Sequence, residues 1–240
     1  MRNTGEFPRS KGEYYGTPGW ITRALLISET LPDRVWEPCA GDGKMVDVLR
    51  QHERQVVASD IEPRGEGIEQ RDFLAAGLAP EGVAAIITNP PWDNGGRLST
   101  TIVRHALQLM TPGRGLVAML VPLAWDTAKS RRDLFMQPSY VAEVCLLDRM
   151  QVMEGTAVDK GLTSTIQATW HVWDLSRQRR SGIRKHFVTQ SEANGEAGGL
   201  CEIWEADING KPGNSRFGAS ARAAVARGKA PGSMGVNSKP

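Results

Sequence analysis

The chain has 240 residues, 40% of them hydrophobic, and a formal net charge of +2 at pH 7, which suits one α/β domain with a real core, with or without a tail. It contains no run of about 18 apolar residues, so no membrane-spanning helix is expected, and Met1-Arg2-Asn3-Thr4-Gly5 lacks the apolar stretch of a secretory signal. Cys39, Cys145 and Cys201 are odd in number and widely spaced, and with four scattered histidines they make neither a zinc pattern nor a disulfide framework; that points to a reducing cytoplasm.

Charge is unevenly placed. Residues 176–240 hold eleven Lys/Arg against five Asp/Glu, so this part carries +6 and the preceding 175 residues −4. Any affinity for a polyanion is expected to concentrate there.

In chain order, residues 1–13 are polar and expected to be flexible. Tyr14-Tyr15-Gly16-Thr17-Pro18 leads into an amphipathic helix predicted over 19–30, with Ile21, Ala24, Leu25 and Ile27 inward. Thr17 suits the N-cap and Pro18 the first helical position. The string Arg34-Val35-Trp36-Glu37-Pro38-Cys39-Ala40-Gly41-Asp42-Gly43 reads as a strand ending at Glu37, a glycine turn, and a helix starting near Lys44. Gly41 and Gly43 let the backbone lie close against a ligand, and a helix N-terminus can hold a carboxylate. Val46 stands where a dinucleotide fingerprint has its third glycine, which argues against a pyrophosphate clamp. With Glu37 and Asp42 as nearby anions, a ligand carrying a carboxylate and a cationic centre fits better.

Residues 55–61 form the next predicted strand. Asp60 lies 23 residues past Glu37, the separation at which an acid reaches ribose hydroxyls. Asp72, in Arg71-Asp72-Phe73-Leu74, suits either an aromatic amine or a helix N-cap. The apolar run 84–88 then breaks into Asn89-Pro90-Pro91-Trp92. Two prolines, without N–H and with fixed φ, stiffen this turn and leave carbonyls pointing outward. An amide, a carbonyl and a flat ring at a strand end suit a planar group bearing an NH₂: Asn89 Oδ1 and the Pro90 carbonyl accept its hydrogens while Trp92 stacks on its face.

A helix is predicted between Asn94 and Met110, with Ile102, Ala106, Leu107 and Leu109 inward. A turn at 111–113, an apolar strand over 114–121 and a loop over 122–130 follow. Lys129, Arg131 and Arg132 open a short helix, as a solvated face or as phosphate contacts. Residues 140–148 and 164–172 are the last two predicted strands, joined by the loop 149–163. About seven strands alternating with helices imply an α/β fold, a doubly wound, mostly parallel sheet ending in an antiparallel hairpin. In such a sheet the order reverses between the first and fourth strands, and ligands bind at the carboxyl ends there. Past 176 periodicity fades: 176–208 reads as a peripheral extension in which 202–206 adds one strand or turn. Residues 209–240, with six glycines, three prolines, six bases and no acid, are expected to be disordered.

Asn89-Pro90-Pro91-Trp92 resembles the (Asn/Asp/Ser)-Pro-Pro-aromatic signature of the S-adenosylmethionine-dependent amino-methyltransferases. Glu37–Gly43 resembles their first motif, (Asp/Glu)-Pro-x-x-Gly-x-Gly, and the resemblance covers 14–175 with all motifs in order. The resemblance implies a Rossmann-like methyltransferase fold binding S-adenosyl-L-methionine through Thr17, Pro18, Glu37, Pro38, Ala40, Gly41, Gly43, Asp60, Ile61, Asp72 and Phe73. It makes Asn89, Pro90, Pro91 and Trp92 catalytic, with no metal. Thr17-Pro18 and Trp92 are most like the DNA adenine-N6 enzymes, which implies DNA as substrate, with RNA, a protein glutamine amide or a non-catalytic subunit as alternatives. A specificity subunit or a second copy is the implied partner.

Overall fold

The computed structural model describes residues 16–93, 95–110, 115–152, 164–177, 182–196 and 204–206. The expected flexible segment 1–13, the turn at 111–113, residues 153–163 of the predicted loop and the basic tail 209–240 lie outside the described residues.

The chain builds one main sheet from β1 (Arg34–Glu37), β2 (Gln55–Asp60), β3 (Glu69–Gln70), β4 (Ala85–Thr88), β5 (Leu116–Pro122), β6 (Tyr140–Leu146), β9 (Ala168–Asp174), β10 (Ile183–Val188) and β11 (Trp204–Ala206). The spatial order is β11-β10-β6-β9-β5-β4-β1-β2-β3. A separate ribbon pairs β7 (Met150–Val152) with β8 (Ser164–Ile166). Within the main sheet β9 runs antiparallel between β5 and β6, and β11 pairs antiparallel with β10; the other pairings are parallel.

Burial explains the strand strings. β4 and β5 are buried along almost their whole length because helices cover both faces, so they read as continuous apolar runs. On one face α1 (Gly19–Ser28) and α2 (Lys44–Gln51) bring Trp20, Ile21, Leu25, Met45 and Leu49 into one core with alternate residues of β1, β4, β5, β6 and β9. On the other, α3 (Arg97–Leu109) and the segment containing α4 (Arg132–Met136) place Ile102, Ala106, Trp125 and Leu134 against Val117, Met119 and Trp173.

The doubly wound architecture and the order reversal between β1 and β4 stand as expected. Three expectations need correction. The sheet has nine strands rather than seven: β3 is only two residues long, and Arg184, Lys185 and His186 interrupt the apolar residues of β10. The expected hairpin exists as β6 and β9, but it is not terminal: β9 inserts beside β5, and β10 extends the sheet past β6. Ile27 of α1 faces solvent, 43% exposed, while Trp20 and Thr22 take the inward positions.

β10 is held by a buried ionic cluster. Arg184 donates from Nη2 to Glu29 Oε2 at 2.5 Å, and His186 Nε2 lies 3.0 Å from Glu29 Oε1. Burial pushes the Glu29 carboxyl up, but the His186 and Arg184 hydrogen bonds outweigh it and hold the group below its usual range. A short α5 (Gln190–Ala193), capped by Thr189 and Glu192, then packs on α1, where Arg23 donates to Asn194 Oδ1 at 2.6 Å.

Candidate active site

A cleft opens at the carboxyl ends of β1, β2 and β4. Thr17, Glu37, Pro38, Ala40, Asp60, Ile61, Asp72, Phe73, Asn89, Pro90 and Pro91 all line it. Of the expected site residues, Pro18, Gly41, Gly43 and Trp92 do not.

The loop after β1 is shaped by its glycines. Gly41 and Gly43 have φ of 53° and 87°, values that favour glycine. Gly43 N–H donates to the Ala40 carbonyl at 2.8 Å, and Gly43 in the left-handed region starts α2. Gly41 N–H donates to Asp60 Oδ2 at 2.8 Å, and Asp60 Oδ1 accepts from Glu62 N–H at 2.8 Å. The Gly41 amide thus fixes Asp60, and the residue does not itself line the cleft. Asp60 in turn latches the loop after β2 onto the loop after β1. Gly65 belongs to the same contact, since a Cβ there would sit 2.6 Å from the Asp42 carbonyl oxygen.

Asp72 takes the local role with one oxygen and keeps its place in the cleft. Its Oδ1 accepts from Leu74 N–H at 2.9 Å and caps the short 3-10 turn Phe73–Ala75, while the residue still lines the cleft. Phe73 is buried edge-on against Trp36, centroids 5.1 Å apart, and against His105 at 5.0 Å. Trp36 is fixed from the other side by Nε1 donating to Ser59 Oγ at 2.8 Å.

Thr17 does not cap α1; Pro18 is the residue preceding the helix and no side chain caps it. The Thr17 side chain is buried and its Oγ1 accepts from Asn89 Nδ2 at 3.0 Å, across 72 residues of sequence. This bond orients the amide, turning its carbonyl oxygen away from Thr17.

Glu37 is almost fully buried. Its Oε1 accepts from Cys39 N–H at 3.0 Å and from the Thr88 hydroxyl in a short hydrogen bond, and its Oε2 has no partner among the described residues. Burial, helped by the nearby Asp60 charge, pushes the carboxyl up to about 8 against the pull of the Thr88 and Cys39 hydrogen bonds. Burial and the Glu37 charge likewise push the Cys39 thiol up, which leaves it a thiol rather than a nucleophilic thiolate.

Trp92 does not line the cleft. It is half-buried, packs against the core under α1, and donates from Nε1 to the Leu120 carbonyl at 3.2 Å. A buried indole seeks an acceptor for its N–H, and the end of β5 supplies one. Trp92→Ala is expected to lower stability by about 2–3 kcal/mol, and Trp92→Phe, which keeps a ring and loses one hydrogen bond, by about 1 kcal/mol. Thermal denaturation checks this: an unchanged melting temperature with weakened substrate capture would restore the stacking role.

Arg131 was expected at a solvated face or a phosphate, and is neither. It is buried, donates from Nε to Thr100 Oγ1 at 2.7 Å, and bonds the Trp125 and Gly95 carbonyls through Nη1 and Nη2. Its guanidinium also lies 4.7 Å from the centroid of the Trp125 ring. It ties the loop after Trp92 to the segment after β5. Asp93 caps α3 from the same loop, accepting from Arg97 and Leu98 N–H at 2.9 and 3.0 Å. Leu98 and Ile102 of α3 close one wall of the cleft. Sequence reasoning passed over Thr88, Leu98 and Ile102; Thr88, a polar residue ending an apolar strand one position before Asn89, was the readable signal among them.

No family model matches the chain, and no curated protein matches it. Solved structures do. A modification subunit assigned to a type I restriction enzyme of Vibrio vulnificus YJ016 matches with TM-score 0.51 at 12% identity, over 85% of this chain and 59% of that one. The methyltransferase subunit of a type I restriction-modification system from Streptococcus thermophilus gives 0.47 at 14%, over 78% and 50%. A protein assigned as an RNA methyltransferase from Pyrococcus horikoshii gives 0.48 at 14%, over 70% and 90%. The fold is the methyltransferase fold. The chain spans about half to three-fifths of the length of the two restriction-system subunits. Among the described residues no helix is long and apolar enough to cross a membrane.

Proposed function

We propose that the chain transfers a methyl group from S-adenosyl-L-methionine to the exocyclic amino nitrogen of adenine in DNA. The observation that carries this reading is the Thr17–Asn89 hydrogen bond, which joins the element before α1 to the Asn-Pro-Pro turn that lines the cleft. The donor set fits the cofactor. Asp60 suits a ribose diol, Asp72 and Phe73 suit an adenine, and the unpartnered Glu37 Oε2 suits a cation. The cofactor, when bound, supplies an electrophilic methyl group on a sulfonium.

The residues of the chain do the rest. An amine conjugated with an aromatic ring is a poor nucleophile, and acceptors pulling on its hydrogens favour the pyramidal form that attacks. Asn89 Oδ1 and the Pro90 carbonyl are the proposed acceptors, and their pull strengthens toward the transition state. No prior deprotonation is needed, because the nitrogen becomes acidic once methylated. The base reaches them by flipping out of the stack, at a cost of a few kcal/mol. DNA is favoured by the Thr-Pro element and by the restriction-system likeness, and a specificity subunit or second copy is the proposed partner. Tritiated methyl transfer onto DNA, RNA and protein, with chromatography of the product, tests this. N6-methyladenine in DNA is expected; label in RNA or protein alone, or cofactor binding without transfer, would overturn the reading.

Asp60→Ala is expected to weaken cofactor binding by roughly 1.5–3 kcal/mol, because it removes a charged acceptor and releases both Gly41 and Glu62. Calorimetry showing unchanged affinity would remove Asp60 from the site.

A further inference from the structure

We infer that Thr88 is the positioning residue of a proton-linked docking point: its hydroxyl fixes the buried Glu37 carboxyl, which holds a proton in the empty cleft and releases it to solvent when the cationic end of the cofactor docks beside Oε2. The inference rests on S-adenosylmethionine being the ligand of this cleft.

The geometry is specific. Thr88 is fully buried at the last position of β4, and its hydroxyl is committed to Glu37 Oε1, which also accepts from Cys39 N–H. One oxygen is thus clamped by two donors from different elements, and the other has no partner among the described residues. Among the described residues no cation lowers the Glu37 carboxyl, and the charged neighbour that raises its energy is Asp60 at the end of β2. Cys39 belongs to its own turn, and Asp42, Glu62, Arg64 and Asp72 line the same cleft. An ionised carboxylate buried without a counter-charge costs several kcal/mol. In the empty cleft the carboxyl therefore keeps its proton, and a docked sulfonium or ammonium supplies the missing charge and displaces it. Thr88 sits one residue before Asn89, so the same strand end holds the cation site and the amine cradle.

The sign follows from the raised group. Below about 8 a cationic ligand competes with the Glu37 proton, so affinity falls about tenfold per pH unit as pH drops, and levels off above. Removing the Thr88 donor raises the group further and moves this profile to higher pH.

The test is calorimetric titration of S-adenosylmethionine between pH 6 and 9, in phosphate and in Tris, whose ionisation heats differ. The native chain should release close to one proton per cofactor at pH 7, and Glu37→Gln markedly less, the remainder being the cofactor's own titration. Thr88→Val should shift the affinity profile to higher pH, and Thr88→Ser, which keeps the hydroxyl, should restore it. Equal proton counts for the native chain and Glu37→Gln, or a Thr88→Val profile superimposed on the native one, would overturn the inference. Carboxyl carbon NMR of the ligand-free chain is the second measurement: Glu37 should titrate far above the usual carboxylate range, and higher still in Thr88→Val. An ordinary titration there would overturn the inference on its own. If Glu37 titrates as expected but no cofactor binds at any pH, the methyltransferase reading fails, the cofactor-linked step falls with it, and only the Thr88–Glu37 pairing survives.

Discussion

Asn89→Ala is expected to leave cofactor affinity close to that of the native chain while lowering turnover at saturating substrate by a factor on the order of 10² or more. The proposed mechanism assigns Asn89 Oδ1 an interaction that grows as the target nitrogen turns pyramidal and positive, so its loss falls on kcat rather than on ground-state binding. The same substitution removes the hydrogen bond to Thr17, and Thr17→Val separates the two effects. It keeps the acceptor and loses only the orientation of the amide, so its turnover should fall less than that of Asn89→Ala. Single-turnover methyl transfer beside calorimetry of the cofactor reads both quantities. A fully active Asn89→Ala chain would sink the mechanism, and one that unfolds would reduce the Thr17–Asn89 bond to a structural tie.

The parts of the site legible in the sequence are those whose chemistry is local. Glu37-Pro38-Cys39-Ala40-Gly41-Asp42-Gly43 announces itself because a tight strand-to-helix turn needs glycine at φ values of 53° and 87°. Asn89-Pro90-Pro91 does so because two prolines can only end a strand. The strand order beside them follows from alternating strands and helices, so the meeting of the two loops is legible in the sequence. Side-chain partners from distant elements could not. Thr17 looks like a helix cap until Asn89 arrives from 72 residues away. Trp92 looks like a stacking platform until Leu120 offers it an acceptor. Arg131 looks like a surface base until the Gly95 and Trp125 carbonyls surround it. Each local reading is sound, and each misses a partner that only the assembled fold supplies.

β10 shows the same limit and yields the largest expected effect on stability. Arg184 and Lys185 fall in the stretch whose periodicity fades, yet Arg184 pairs with Glu29 and Lys185 with Glu143, at 3.0 Å from Oε2. Glu29→Ala is expected to destabilise the fold by roughly 3–5 kcal/mol, because it strands Arg184 and His186 against the α1 face without their shared acceptor. The sign with pH follows from the lowered Glu29 carboxyl. Its contribution is present above the unfolded-state value and fades as pH falls through the folded one, so native and Glu29→Ala chains should converge in acid. Urea denaturation at pH 7 and stepwise into acid reads the gap; a difference under about 1 kcal/mol at pH 7 would show the cluster to be solvated. Replacing all three residues together with leucine tests what the cluster is for. A buried ionic group is often no more stabilising than an apolar one of similar volume, so Glu29→Leu, Arg184→Leu and His186→Leu combined should recover much of the loss from Glu29→Ala alone. What it should not recover is register: the Arg184↔Ala142 pairing that sets β10 against β6 would be free to slip, and hydrogen exchange of the β6 and β10 amides should quicken while the rest of the sheet keeps its protection.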